Sequence, residues 1–210
     1  MATITREEVL EKIRLGISLR DTDLSWIDLN NCDLSGADFA HSTFTGANLR
    51  KCIFNKTNIE HAFFADADLE GSTFTSSNLR HTFFQRSNLI HTSFVDCDIS
   101  HSSFPLARLY EAKMKNITAH QSTFIDSELE KSTFINCDFT NSIMRGTNCR
   151  DCTFEDLTIV NTDLRKVKFM GAKFIRVIAD DVLFYGKRPW DGISDTTTDW
   201  KARLPQDSPD

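Results

Sequence analysis

The chain has 210 residues, of which 40% are hydrophobic and 26% are charged, a composition typical of a soluble folded protein. Its net charge of -6 argues against sequence-independent binding to nucleic acid or to an anionic membrane, because both require a basic surface. No stretch approaches the length of a transmembrane helix, and the start lacks the apolar core of a secretory signal. We therefore expect no direct nucleic-acid binding, no membrane insertion and a cytoplasmic location, unless a specialised secretion system exports the protein.

The first predicted element is a short helix. Thr5 followed three residues later by Glu8 is a capping-box motif, which marks a helix N-terminus. Three apolar residues after it share one helical face: Val9, Leu10 and Ile13. The pattern predicts a helix over residues 5 to 15, as the cap of an N-terminal segment that spans residues 1 to 16.

Residues 17–186 repeat with a period of five. Every residue whose number ends in 4 or 9, from Leu19 to Phe184, is apolar, and these 34 positions include 15 Phe and 11 Leu. The position two before each of them holds Ala, Ser, Thr or Cys in 27 of the 34 repeats. A large residue that alternates with a small one, with polar residues between, is the A-(N/D)-L-x-x pattern, as in Ala47-Asn48-Leu49. The chain therefore resembles the pentapeptide-repeat family over about four fifths of its length.

This resemblance implies an all-β fold, a right-handed quadrilateral parallel β-helix with four pentapeptides in each coil and hence a longer period of twenty. The residue types support that longer period independently, because the large positions 44, 64, 84, 104 and 124 are all Phe, whereas 49, 69, 89 and 109 are all Leu. Rungs about 4.8 Å apart would give about 8.5 coils and a rod of roughly 40 Å. Like residues should then stack on like.

Residues 187–210 leave the repeat and are predicted to form a C-terminal cap with a partly disordered tail. They contain two of the three tryptophans, and Trp190 follows the last repeat closely enough to cover its open end. Such a cap is needed because an open solenoid end invites edge-to-edge growth. The final letters, PQDSPD, are typical of a disordered terminus.

The six cysteines include a C-x-x-C pair, Cys149 and Cys152, which in another setting would suggest a metal or redox site. The repeat register instead places Cys149 at a large inward position and the other five at small inward positions, so we predict buried structural thiols. No nucleophile triad, phosphate-binding glycine loop or paired buried carboxylate stands out. We therefore predict no catalytic residues, no cofactor and no metal, and a protein that is not an enzyme.

Four histidines recur with the period of one coil and should form one vertical row on the outside of the solenoid: His41, His61, His81 and His101. The simplest interpretation is a stacked polar ladder, which Gln121 continues. Two alternatives remain open. Protonation near pH 6 would bring like charges close together and give a modest pH response. Zinc binding is the other, although no carboxylate or thiolate is placed to complete a tetrahedron.

Only two of the 17 phenylalanines lie outside the large inward positions, and these are Phe63 and Phe83. They occupy equivalent outward positions one coil apart, so we expect an exposed stacked pair, extended by Pro105 and Leu106. Exposed apolar patches commonly mark contact sites. The patch predicts an interaction surface for a second copy or for another protein partner. The alternative is local filling beneath longer polar neighbours.

Together these features predict a non-catalytic scaffold for protein–protein interaction, or an effector or accessory protein, whose solenoid faces bind a macromolecule. Within the family, the opening segment resembles the lead-in of members encoded beside type VI secretion components, through Val9-Leu10, Gly16-Ile17-Ser18-Leu19 and Asp23-Leu24. The alternative is a DNA mimic that inhibits DNA gyrase, a type II topoisomerase, as in the quinolone-resistance branch of the family. The mild acidity of this chain departs from that branch.

Overall fold

The computed structural model describes residues 4–190, and the chain begins there with helix α1, Arg6–Arg14. The capping box is formed: the Glu8 amide donates to the Thr5 hydroxyl at 3.2 Å, and the Thr5 amide donates to the Glu8 carboxylate at 2.8 Å. Val9 is fully buried against the first coil. The Arg6 guanidinium also donates to the Asn30 carbonyl at 3.0 Å. The predicted N-terminal helix is confirmed, and it lies over the first coil.

The rest of the described chain is a parallel β-solenoid. One sheet contains seven parallel strands in chain order, which span six turns: β1 Ile53–Asn55, β2 Thr73–Thr75, β3 Ser93–Val95, β4 Lys113–Thr118, β5 Thr133–Asp138, β6 Thr153–Val160 and β7 Lys173–Asp180. Each strand pairs with its equivalent one coil later, so that Phe54 lies opposite Phe74. On another side of the solenoid, eight isolated β-bridges also pair residues that lie one coil apart, from Asp23 to Leu183. The predicted fold class is confirmed.

Each coil has four faces, which we name by the inward residue at the centre. Face A is centred on residues 24, 44, 64 and onward, with one centre in every coil. Face B is centred on residues 29, 49 and onward. Face C is centred on residues 34, 54 and onward, and face D on residues 19, 39 and onward. Strands β1 to β7 begin on face C. Each face ends at two corner residues, whose numbers end in 1 or 6, and we count both of them as part of the face. Face A therefore presents, for example, residues 61, 63, 65 and 66 to solvent.

The corners explain why the period is five. Backbone φ is positive at every fifth residue from Gly16 to Gly186, and 28 of these 35 positions do not hold glycine. At many corners the following amide closes a tight turn, as Ala47 donates to the Phe44 carbonyl at 3.0 Å. A positive φ at the third residue is the mark of a type II turn, and β-branched residues are outliers there. Accordingly, none of the 35 corner positions holds Val, Ile or Thr.

The interior consists of stacked large residues separated by small ones. On face A the rings of Phe44, Phe64, Phe84 and Phe104 stack with centroids 4.7 to 5.0 Å apart. Hydroxyls at the small positions donate to carbonyls of the preceding coil, as Ser42 Oγ does to Leu19 at 2.6 Å. Small polar residues are thus accepted inside because each finds a backbone carbonyl, either on the coil before it or, as for Ser87 and Ser127, three residues earlier.

At the other end, Trp190 is fully buried. Its indole centroid lies 6.1 Å from Phe169, 5.8 Å from Phe174 and 5.3 Å from Phe184, so it covers the inward residues of the last coil. The predicted domain boundaries remain predictions. The tail expected to be disordered falls mostly in residues 191–210, which lie outside the described residues.

Candidate functional site

Face A carries just over half of the large hydrophobic side chains that are exposed in the described part of the chain. Thirteen large hydrophobic side chains are exposed within residues 4–190, and seven of them lie on face A: Trp26, Phe63, Phe83, Leu106, Ile143, Leu183 and Tyr185. The other six are divided between the N-terminal segment and the three remaining faces. Concentration of this kind on one side is the usual sign of a contact surface, whereas single exposed apolar residues need no explanation.

Phe63 and Phe83 form the centre of this surface. Their backbones pair directly in the parallel ladder, and their rings stack with centroids 4.9 Å apart and planes 5° apart. The two residues are 44% and 39% exposed. Leu106, at the corner of the next coil, is 52% exposed, while Pro105 beside it is half-buried. The apolar surface therefore continues over three successive coils.

The histidine row runs along one edge of face A, at its corner with face D. The four rings stack with centroids 4.8, 4.5 and 4.6 Å apart and planes within 10° of parallel. Burial lowers the pKa of His81, and the neighbouring His101 and His61 lower it further. Each imidazole lies two residues before the outward side chain on the same rung. The row is thus directly beside the phenylalanine pair.

Charge is scarce on this part of face A. Among the four rungs that carry the histidines, the only acidic, Lys or Arg residues on face A are Asp66 and Arg86. They form a bidentate pair, with Nε–Oδ1 at 2.8 Å and Nη2–Oδ2 at 2.7 Å. The pKa of Asp66 is lowered by this hydrogen bond to Arg86. The pair lies at the edge opposite the histidines.

The other faces carry more charged residues over these coils, and several ion pairs between coils cross faces B and D. On face B, Arg50 contacts Asp68 at 3.1 Å and Glu70 at 2.6 Å. On face D, Arg80 contacts Asp98 at 2.8 Å. These pairs neutralise part of the acidic rows that outward Asp and Glu residues would otherwise form. Face A is therefore both more apolar and less charged than its neighbours over these coils.

Trp26 is the most exposed of the hydrophobic residues that the sequence did not lead us to expect at the surface. It occupies a face A corner with φ of 63° and is 76% exposed. Its indole lies across the corner of the next coil at Gly46, where an added Cβ would come within 2.3 Å of the ring. A signal was present in the sequence, since a glycine occupies the equivalent corner one coil after a large corner residue. Trp26 extends the apolar surface toward the N-terminal end.

The cysteines lie in the interior of the solenoid. All six are buried and free, and four donate to carbonyls of the preceding coil, as Cys152 Sγ does to Leu129 at 2.9 Å. Burial raises the pKa of Cys52 and of Cys137 to about 12. Within residues 4–190, no group of three or more His, Cys, Asp or Glu residues could hold a metal ion. The same region contains no helix long and apolar enough to cross a membrane.

Sequence and structure comparisons agree with this architecture. The family model for pentapeptide repeats matches eight copies, over residues 17–55, 52–89, 67–105 and 132–171. The chain therefore belongs to the pentapeptide repeat family. A comparison with curated protein sequences finds no match.

Several solved structures have a similar fold. HetL, a pentapeptide repeat protein involved in heterocyst differentiation regulation in the cyanobacterium Nostoc sp. strain PCC 7120, is 16% identical, with 86% of this chain and 97% of HetL covered and a TM-score of 0.55. QnrB1, a plasmid-mediated fluoroquinolone resistance protein, is 17% identical, with 72% of this chain and 83% of QnrB1 covered and a TM-score of 0.42. The likeness to HetL shows a shared fold and nothing about function.

Proposed function

We propose that the protein is a non-catalytic interaction module that binds a protein partner through face A. The observation that carries this proposal is the number of exposed apolar side chains on one face, which include the stacked pair of Phe63 and Phe83. Pentapeptide repeat proteins are generally structural or interaction proteins, which agrees with such a role.

The phenylalanine pair has the properties of a binding hot spot. Complete burial of a fully exposed aromatic side chain contributes about 1.5–3 kcal/mol. Phe63 and Phe83 are 44% and 39% exposed, so the pair together supplies about as much as one such side chain. Both rings are already held against each other on a continuous ladder of backbone hydrogen bonds. A partner therefore loses little free energy in ordering them. Large aromatic side chains at the centre of a patch are typical of residues that dominate binding.

The shape of face A also favours a macromolecule over a small substrate. From Asp23 to Leu183, each rung of face A pairs with the rung of the next coil in the same register. No loop interrupts the repeat within that range to enclose a ligand. Small-molecule sites are usually concave and bury most of their ligand. A flat, rigid strip is better suited to another protein surface.

Affinity capture with a matched control tests the proposal. The variant Phe63→Ser/Phe83→Ser removes both rings, and Ile53→Ser/Ile175→Ser removes two isoleucines on face C, which are 46% and 39% exposed. Wild type and the face C variant should retain the same partner, whereas the face A variant should lose it. Equal capture by all three proteins would overturn the proposal, provided that each has the wild-type circular dichroism spectrum.

The gyrase alternative requires a rod whose acidic rows resemble DNA. Here Arg50, Arg80 and Arg86 each contact acidic side chains of a neighbouring coil, which weakens such rows. We therefore favour the apolar face over DNA mimicry. A supercoiling assay separates the two, because a DNA mimic would inhibit gyrase at near-stoichiometric amounts whether or not Phe63 and Phe83 are intact.

A further inference from the structure

Face A has an approximate internal symmetry. Consider a two-fold axis that crosses the face midway between the rung of Phe63 and the rung of Phe83. Rotation about it exchanges the two rungs, and it places a phenylalanine on a phenylalanine and a histidine on a histidine. The same exchange places Asp66 on Arg86, which carry opposite charges. A two-fold interface requires this self-complementarity. If residue i of one copy contacts residue j of the other, then residue j of the first copy must contact residue i of the second.

We propose that face A of one molecule packs against face A of a second copy, with the two rods antiparallel and a two-fold axis running across the face between these rungs. This inference rests on the proposed function and names its partner. An axis in that direction reverses the order of the rungs in the second copy, but each row of one copy still lies opposite the same row of the other copy. The histidine edge then meets the histidine edge, and the charged edge meets the charged edge.

The centre of the interface is aromatic. Phe63 packs on the partner's Phe83, and Phe83 on the partner's Phe63, so four partly exposed rings bury one another. Each pair is already stacked at 4.9 Å within its own chain. Hot-spot residues tend to contact hot-spot residues of the partner, as here. The inward neighbours Phe64 and Phe84 support the rings from below, since both are fully buried.

The charged edge is complementary across the axis. Asp66 lies opposite the partner's Arg86, and Arg86 opposite the partner's Asp66, so two bidentate pairs form a ring of four alternating charges. These residues are the only acidic, Lys or Arg side chains on the four central rungs of face A. Charge complementarity at an interface fixes the register more than it adds affinity.

One coil further out, the shapes also match. The corner of Leu106, 52% exposed, lies opposite the partner's corner at Gly46, and that glycine is covered by the partner's Trp26 indole. Leu106 therefore packs on an aromatic surface at each end of the interface. Thr43 lies opposite the partner's Ser103 on the row between. Their short side chains let the two backbones approach.

A parallel arrangement fits less well. A two-fold axis along the rods would keep the rungs level but exchange the two edges of the face. His81 would then lie opposite the partner's Arg86, and Phe83 opposite the partner's Gln85. Phe63 would lie opposite the partner's Ala65, so no ring of one copy would meet a ring of the other, and Asp66 would face the partner's His61 instead of Arg86. The antiparallel arrangement is the one that places each exposed phenylalanine ring on a phenylalanine ring of the other copy.

Charge exchange tests the register. A dimer of Asp66→Arg alone would have four positive charges at this edge, and a dimer of Arg86→Asp alone would have four negative charges. Because like charges repel, each variant alone should associate about tenfold or more weakly than wild type. In a one-to-one mixture, a copy with two positive charges faces a copy with two negative charges. Sedimentation velocity over about 1 to 200 μM should therefore show dimers in wild type and in the mixture. The monomer mass is 23.9 kDa.

Cysteine pairing provides an independent measurement. Thr43→Cys mixed with Ser103→Cys should yield a disulfide-linked dimer on mild oxidation, whereas either variant alone should yield much less. The native cysteines do not interfere, because all six are buried. Thr73→Cys mixed with Ser93→Cys, on face C, is the matched control and should remain unlinked.

The outcomes separate this inference from the proposed function. A wild-type mass of 23.9 kDa throughout, or full association of each charge variant alone, overturns the antiparallel dimer. If the protein is monomeric and still captures a different protein through Phe63 and Phe83, only the inference fails. If capture also ignores the two rings, both fail. Association of the mixture but of neither variant alone supports both.

Discussion

Corner residues in this solenoid are constrained by backbone conformation rather than by packing in the core. Their φ values near +60° exclude β-branched side chains and favour Gly, Asn, Asp and His. This explains why the four stacked histidines are at a corner, where imidazole is tolerated and can lie flat on the next ring. It also explains how Trp26 reaches solvent, since a corner side chain points away from the core.

Gly46 combines both corner constraints, so we predict that Gly46→Ala is more harmful than Gly36→Ala. Both residues have a positive φ, at +66° and +70°, and both substitutions add the same backbone strain, about 1–2 kcal/mol. Only at Gly46 would the new Cβ meet the Trp26 indole, while Gly36 has nothing within 4 Å. Urea unfolding should show the larger loss, and Trp26 fluorescence should change only in Gly46→Ala. Equal losses with unchanged fluorescence would contradict the contact.

The histidine row predicts that stability falls in mild acid. The unfolded chain takes up a proton near pH 6.5, whereas burial lowers the pKa of folded His81 below that value. The stabilisation is therefore fully present above about pH 6.5 and is lost as pH falls through the folded pKa. Thermal unfolding at pH 7.5 and 5.5 should show a smaller decrease in His81→Asn than in wild type. The same decrease in both proteins would exclude His81 as its source.

At the scale of the elements, the two ends are closed by different means. The N-terminal end is covered by a nine-residue helix that buries Val9 and is held to the first coil by Arg6. The C-terminal end is covered by a single indole packed against three phenylalanines. Both devices protect unpaired strand edges, on which another chain could otherwise add a strand.

Trp190 is predicted to be essential for the C-terminal end. Trp190→Ala would leave a cavity beside Phe169, Phe174 and Phe184 and should cost about 3–5 kcal/mol in urea unfolding. Trp190→Phe should cost much less, because the buried indole Nε1 has no hydrogen-bond partner among the described residues and its loss removes an unsatisfied donor. Similar losses for both variants would show that the indole nitrogen is satisfied or that ring size alone decides.

At the scale of the whole molecule, the four faces have different surfaces although they share one backbone pattern. Face B and face D are crossed by arginine–carboxylate pairs, while the central rungs of face A hold a single pair beside aromatic rings. Because exposed side chains lie outside the shared interior, substitutions at exposed positions of one face should leave the other faces intact. This independence is what makes the paired face A and face C variants informative controls.

The sequence by itself determined the period, the identity of the inward residues and the rows that stack along the rod. It could do so because a repeat of five with four corners per turn fixes which residues lie one coil apart, and stacking follows from that spacing. Phe63 with Phe83, the histidine row and the buried cysteines all belong to this class. None of them requires knowledge of side-chain conformations.

The tertiary structure alone decided which neighbours the long side chains choose. Trp26 lies across Gly46, Arg86 pairs with Asp66, and Arg50 reaches both Asp68 and Glu70. Such side chains are longer than the spacing between rungs, so each has several partners within reach, and the choice depends on packing and hydrogen bonding in three dimensions. The position of the exposed indole and the neutralisation of the charged rows follow from those choices rather than from the repeat.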